Sequence, residues 1–231
     1  VFEIRKAGLN ILMSMKGDKK PVAFIEDCAV TLDNLADYTA RLNEIFKKYD
    51  TSGMFYAHAS VGTLHVRPVL NMKSDKDIKN MKSISEEAFE MVKNYKGSHS
   101  GEHGDGIVRS EFHEMMFGKK ITNAFEEIKD SFDSKNLLNP GKIVRPFKSN
   151  DRSLMRYKSG YQTEKINTHY DWSNWGQFSD AIEMCNNNGA CRKLDSGVMC
   201  PSYRVTKEEK DLVRGRANTL RLALSNQLPE G

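Results

Sequence analysis

The chain has 231 residues, 39% of them hydrophobic, which suits one large or two small domains with a real core and argues against a fibre or a disordered tail. Lys and Arg total 35 against 31 Asp and Glu, a formal net charge of +4, and the two signs are interspersed, which argues against a dedicated nucleic-acid surface. No apolar run approaches the roughly 18 residues needed to cross a bilayer, and Val1-Phe2-Glu3-Ile4-Arg5 lacks the charged-then-apolar pattern of a signal peptide, so the default compartment is the cytoplasm.

Ile4, Ala7, Leu9, Ile11 and Leu12 form a helical stripe over residues 3–15, ended by the breaker Gly17-Asp18-Lys19-Lys20-Pro21. Val22-Ala23-Phe24-Ile25 reads as a buried strand. Thr31 is placed to cap the next helix, on which Leu35, Tyr38, Leu42, Ile45 and Tyr49 recur at helical spacing. Residues 54–70 are rich in β-branched and aromatic side chains and read as two strands around Ser60-Val61-Gly62-Thr63. Ser83 and Glu86 make a capping box for a helix to about Tyr95, with Gly97 as its stop. A glycine-rich turn over 101–106 then leads through a short strand at Ile107-Val108 into a helix-rich stretch over 110–132.

This order predicts an α+β fold with a mixed or antiparallel sheet and helices on one face, occupying residues 1–147. Residues 148–175 turn polar, lose periodicity and read as a linker. Residues 176–231 carry three of the four cysteines and a charged helix over 207–224, the outline of a small helical segment. The chain starts without Met and stops straight after that helix, so it is expected to be a piece of a longer protein.

Two clusters carry candidate chemistry. His58 and His65 lie on adjacent strands around a tight turn, where both imidazoles can reach one divalent metal, although two polar residues on a solvated strand face would look the same. Gly101-Glu102-His103-Gly104-Asp105-Gly106 sets a carboxylate and an imidazole in a turn open to close approach by a ligand; an ordinary polar turn capped by Asp105 is the plainer reading. Together they supply two His and one Glu with a fourth position open and a neighbouring base, the composition of a catalytic metal site.

Four ordered motifs, Phe24-Ile25-Glu26-Asp27-Cys28-Ala29-Val30, the His58–His65 element, residues 101–106 and Asn136-Leu137-Leu138-Asn139-Pro140-Gly141-Lys142, resemble the C-terminal domain of the FAD-linked oxidases. That family includes D-lactate dehydrogenase, the glycolate oxidase flavin subunit and D-2-hydroxyglutarate dehydrogenase, and the resemblance is closest to bacterial members fused to an iron–sulfur module. It implies a ferredoxin-like substrate domain and FAD held mainly by an upstream domain that this chain lacks. His58, His65 and Glu102 are then ligands of a divalent zinc, manganese or iron ion, and His103 is the base toward a small D-2-hydroxy acid. Asn139 matches a residue near the flavin and Arg5 one that holds a substrate carboxylate. Helix-stop chemistry and a surface helix arginine are the alternatives for these two. Arg67 replaces an Asn near the substrate; it and Arg109 are candidate positive charges for an anionic acid, or merely solvated.

Cys185, Cys191 and Cys200, the last followed by Pro201, are similar to a ferredoxin-type cluster motif, with Asn188 where a middle cysteine would stand and a longer last gap. The resemblance therefore implies a 4Fe-4S cluster in the longer protein but an incomplete ligand set here. The electron acceptor, association with a membrane through that acceptor, and homo-oligomerisation stay open. Two rivals also stay open: a metal-dependent hydrolase using the same His, His and Glu, and a non-catalytic module of an electron-transfer complex.

Overall fold

The computed structural model describes residues 2–195, 197 and 199–228, with the side chains at 2–6 and 9 outside that description. Lys19–Ser159 form one compact unit, and Val1–Asp18 with Gly160–Gly231 form the other.

The first unit is α+β, and all its strand pairings are antiparallel. Its strands are β1 (Lys19–Pro21), β2 (Cys28–Ala29), β3 (Gly53–His58) and β4 (Thr63–Asn71), and β4 pairs with each of the other three. The strand expected at residues 22–25 is absent. The register moves from Pro21 opposite Val69 to Cys28 opposite Leu64, so the chain carries two more residues than the facing stretch of β4 and bulges. Phe24 and Ile25 still fill the core, while the bulge presents Glu26 and Asp27, the latter at φ 78°. The turn between β3 and β4 is as anticipated. Gly62 sits there at φ 70°, and a Cβ on it would stand 1.9 Å from the Val30 carbonyl oxygen.

Helices α1 (Phe2–Met13), α2 (Leu35–Lys48) and α3 (Asp75–Asn94) come next in order. Thr31 occupies the N-cap position of a 3-10 turn, Leu32–Asn34, without a side-chain capping bond, and α2 begins only after it. In α2, Tyr38, Leu42 and Phe46 are buried at a spacing of four, so one stripe faces inward. The third helix starts well before the Ser83 capping box. Ser74 caps it by accepting the Asp77 N–H at 3.4 Å, and Asp77 accepts the Asn71 N–H at 2.7 Å. Ile78, Met81, Ile84, Ala88 and Val92 continue the buried stripe. The residues read as a strand at 107–108 are helical, in α4 (Gly106–Arg109), followed by α5 (His113–Phe117) and α6 (Lys119–Phe132), with Gly118 between the last two at φ 81°.

Alternation along β4 creates two faces. Leu64, Val66 and Leu70 join the core with α2 and α3. Thr63, His65 and Arg67 point the other way, beside His58, Tyr56 and Met54 of β3, which are their register partners. The functional candidates therefore lie on the sheet face away from the helix-packed core.

In the second unit, α1 is joined by α7 (Phe178–Glu183), α8 (Pro201–Thr206) and α9 (Val213–Leu224). The helix expected over 207–224 is shorter, because Lys207 turns left-handed at φ 61° and Leu212 is extended and fully buried. Cys200, Tyr203 and Leu212 form a small apolar cluster against which Cys191 packs.

Candidate metal and substrate site

The alternation of β3 and β4 places His58 and His65 side by side, their ring centroids 5.1 Å apart. The turn after α3 brings Glu102 to them. Oε1 of Glu102 stands 3.4 Å from His58 Nε2 and 3.0 Å from His65 Nε2. Two ligands of one zinc-class ion, each about 2.0–2.1 Å from it at a tetrahedral angle, are roughly 3.3 Å apart, so each histidine–Glu102 pair has ligand spacing, although the group whose donor atoms all lie within 4.8 Å of one another is Asp27, His65, Glu102 and His103 and leaves out His58. His103 Nε2 lies 3.6 Å from the same oxygen, and its ring stacks on His65 at 4.9 Å. His65 is buried, whereas His58, Glu102 and His103 are each more than two-fifths exposed, so the cluster opens to solvent on one side.

Two acids that the sequence reading left unassigned hold this arrangement. Asp27 Oδ2 accepts the N–H groups of Glu102 and His103, both at 2.7 Å. Gly101 donates to the Asp27 carbonyl at 2.8 Å, and a Cβ on Gly101 would come within 3.2 Å of Asp27. The other oxygen, Asp27 Oδ1, is buried without a hydrogen-bond partner, and Asp27, His65, Glu102 and His103 offer donor atoms within 4.8 Å of one another. Glu26, 2% exposed, faces His65 Nδ1 at 3.6 Å and His103 Nδ1 at 3.8 Å, accepts the Tyr56 hydroxyl at 2.9 Å and pairs with Arg67 Nη2 at 2.6 Å. A charged pair in an apolar run was the one sequence signal of these roles. Tyr56 shares the parity of His58 and stacks on His65 at 4.7 Å.

The remaining candidates divide. Arg67 lies on the site face with its charge partnered by Glu26. Arg109 is buried, donating to the Gly104 carbonyl at 2.7 Å and to the Glu26 carbonyl, so it clamps backbone rather than lying solvated. Asn139 is exposed in its turn at φ 47°, accepts from Lys142 Nζ at 3.3 Å, and shares a groove with Phe125, Ile128, Leu138 and Val144; among the described contacts none joins it to the histidines. The Arg5 side chain lies outside the described residues. Cys185 and Cys191 line one groove of the second unit with Arg214, and Cys200 Sγ accepts the Val213 N–H at 3.3 Å. None of the four cysteines is in a disulfide.

The family described as FAD linked oxidases, C-terminal domain, matches residues 1–143. The chain belongs to that family. A D-2-hydroxyglutarate dehydrogenase of Pseudomonas putida is 35% identical over 222 residues, which are 96% of this chain and 22% of the relative. One from Haemophilus influenzae is 34% identical over 236 residues, 100% of this chain and 23% of the relative. Glycolate oxidase subunit GlcD of Bacillus subtilis is 30% identical over 141 residues, 61% of this chain and 29% of that protein. This FAD-linked oxidase chain therefore spans about a quarter of the length of such relatives. No helix among its described residues is long and apolar enough to cross a membrane.

Proposed function

We propose that the chain is the substrate- and metal-binding part of an FAD-dependent dehydrogenase that oxidises a D-2-hydroxy acid to the 2-oxo acid. The names of its relatives support the substrate class. The observation that carries the reading is the convergence of His58 and His65 on one Glu102 oxygen with His103 beside it. His58, His65 and Glu102 would hold a divalent ion, which would supply the charge that polarises the substrate hydroxyl, and FAD would supply the acceptor for the C2 hydride. His103 takes the hydroxyl proton on a ring nitrogen, a task suited to imidazole near neutral pH and to a side chain left partly open to solvent. Arg67, fixed by Glu26 beyond His65, attracts the substrate carboxylate. Asn139 contacts the flavin, a role supported by the exposed apolar groove around it. Cys185, Cys191 and Cys200 would contribute thiolates to an iron–sulfur centre in the longer protein, which would carry the electrons onward.

The test has two parts. Elemental analysis of the purified chain should find divalent metal whose amount falls by one equivalent in the His58→Ala/His65→Ala variant. In the whole FAD-loaded protein, His103→Ala should lower kcat on D-2-hydroxy acids by about 10²–10⁴-fold, the range of a lost general base. Metal content unchanged by the double variant, or a His103→Ala enzyme of normal kcat, would sink the assignment.

A further inference from the structure

A second cluster of metal-donor side chains lies in the Lys19–Ser159 unit and shares no residue with the first. It comprises His99, just past α3, Asp105, at the N-terminal end of α4, and His113, the first residue of α5. Their donor atoms all lie within 4.8 Å of one another. His99 Nε2 is 3.4 Å from Asp105 Oδ1, and His113 Nε2 is 2.9 Å from Oδ2.

Hydrogen bonding does not account for this grouping. Both ring nitrogens of His99 and Oδ1 of Asp105 are buried without hydrogen-bond partners, and the 2.9 Å approach of His113 Nε2 to Asp105 Oδ2 is the one contact in the group short enough for a hydrogen bond. The two imidazoles are 1% and 3% exposed and packed against the rings of Phe89 and Phe117, where a polar atom left without a partner is costly. A proton shared between His113 and Asp105 would still leave His99 unpaired on both sides. A cation between the three donors would satisfy Nε2 of each histidine and the carboxylate at once. The 3.4 and 2.9 Å separations bracket the roughly 3.3 Å edge of a tetrahedral zinc-class site.

The surroundings of His113 agree. Its Nδ1 faces the Ile143 carbonyl at 3.3 Å, the outer-shell partner that fixes a metal-bound imidazole with its Nε2 lone pair toward the ion. Arg109, the nearby cation, is turned toward the carbonyls of Gly104 and Glu26.

We propose that His99, Asp105 and His113 form a second divalent-metal site, for a zinc-class ion bound by two imidazoles and one carboxylate. Because Asp105 ends the turn that carries Glu102 and His103, an ion there pins that turn and serves structure rather than turnover.

The test uses the 231-residue chain, without an affinity tag, carrying His58→Ala and His65→Ala to empty the first site. The metal-stripped protein is titrated with cobalt(II) and followed by visible d–d absorption, X-ray absorption and thermal melting. One equivalent should bind, with imidazole nitrogen in its first shell and a raised melting temperature. His99→Gln with His113→Gln in the same chain should abolish both the band and the rise. The circular dichroism of that variant, matched to its parent, shows that it folds. Failure of the His58→Ala/His65→Ala chain to take up cobalt, or uptake undiminished by the two glutamines, overturns the site and leaves a buried polar network.

Discussion

Burial lowers the pKa of His65 by more than the Glu26 carboxylate beside Nδ1 raises it, which favours the neutral ring that a metal ligand must be. Asp27 acts on the same site through backbone, its carboxylate gathering the Glu102 and His103 amides. Asp27→Asn keeps the shape but removes the charge from those hydrogen bonds. Metal affinity at the first site should fall by about 10–100-fold, the usual cost of losing an outer-shell partner, as read by competition with a chelating dye. Unchanged affinity would remove Asp27 from the positioning role. Asp133 supports the Asn139 turn in a similar way. Lys129 Nζ and the amides of Leu137 and Leu138 hold its carboxyl down to about 2. A depressed carboxyl contributes its support above its ordinary pKa and loses it as pH falls through the folded value. The Leu137 and Leu138 amide resonances should therefore stay fixed through the ordinary carboxylate range and shift only near the bottom of it, as pH approaches about 2.

Among the elements, α2 and α3 cover one face of the sheet with a layer of buried side chains. Leu42 is 0% exposed in that layer, and Leu42→Ala should cost about 2–5 kcal/mol, measured by urea unfolding with the far-ultraviolet signal of the helices. A loss below 1 kcal/mol would mean the layer closes over the gap. The helical stripe of α2 and the paired strands β3 and β4 are legible in the sequence, because each buries one face at its own period. The start of α3 is not. Lys76, Asp77, Lys79 and Lys82 surround Ile78 and Met81, and the helix is stabilised there by its Ser74 cap and by packing against the core. Val22-Ala23-Phe24-Ile25 misleads for the converse reason: side chains bound for the core look like a strand even where the backbone bulges to aim Glu26 and Asp27.

In the whole chain, residues remote in sequence meet within single units. The family match covers 1–143, yet α1 belongs to the same unit as residues 160–231. The chain crosses between the units at Asp18–Lys19 and at Ser159–Gly160, with Lys16 and Lys19 exposed at the first and Lys158 and Lys165 at the second, so limited trypsinolysis should cut first over 16–20 or 158–165. Early cuts inside α2 or α3 instead would contradict the division. Periodicity and turn chemistry act over a few residues, so the fold class, the strand pair that presents His58 and His65, and the turn bearing Glu102 and His103 are already legible in the amino-acid order. That Glu26 and Asp27 hold the site together, that Arg109 clamps backbone, and that His99, Asp105 and His113 converge emerges only from the folded chain. Those roles depend on which side chains meet once water is excluded, and such meetings join the bulge before β2 to the turn after α3.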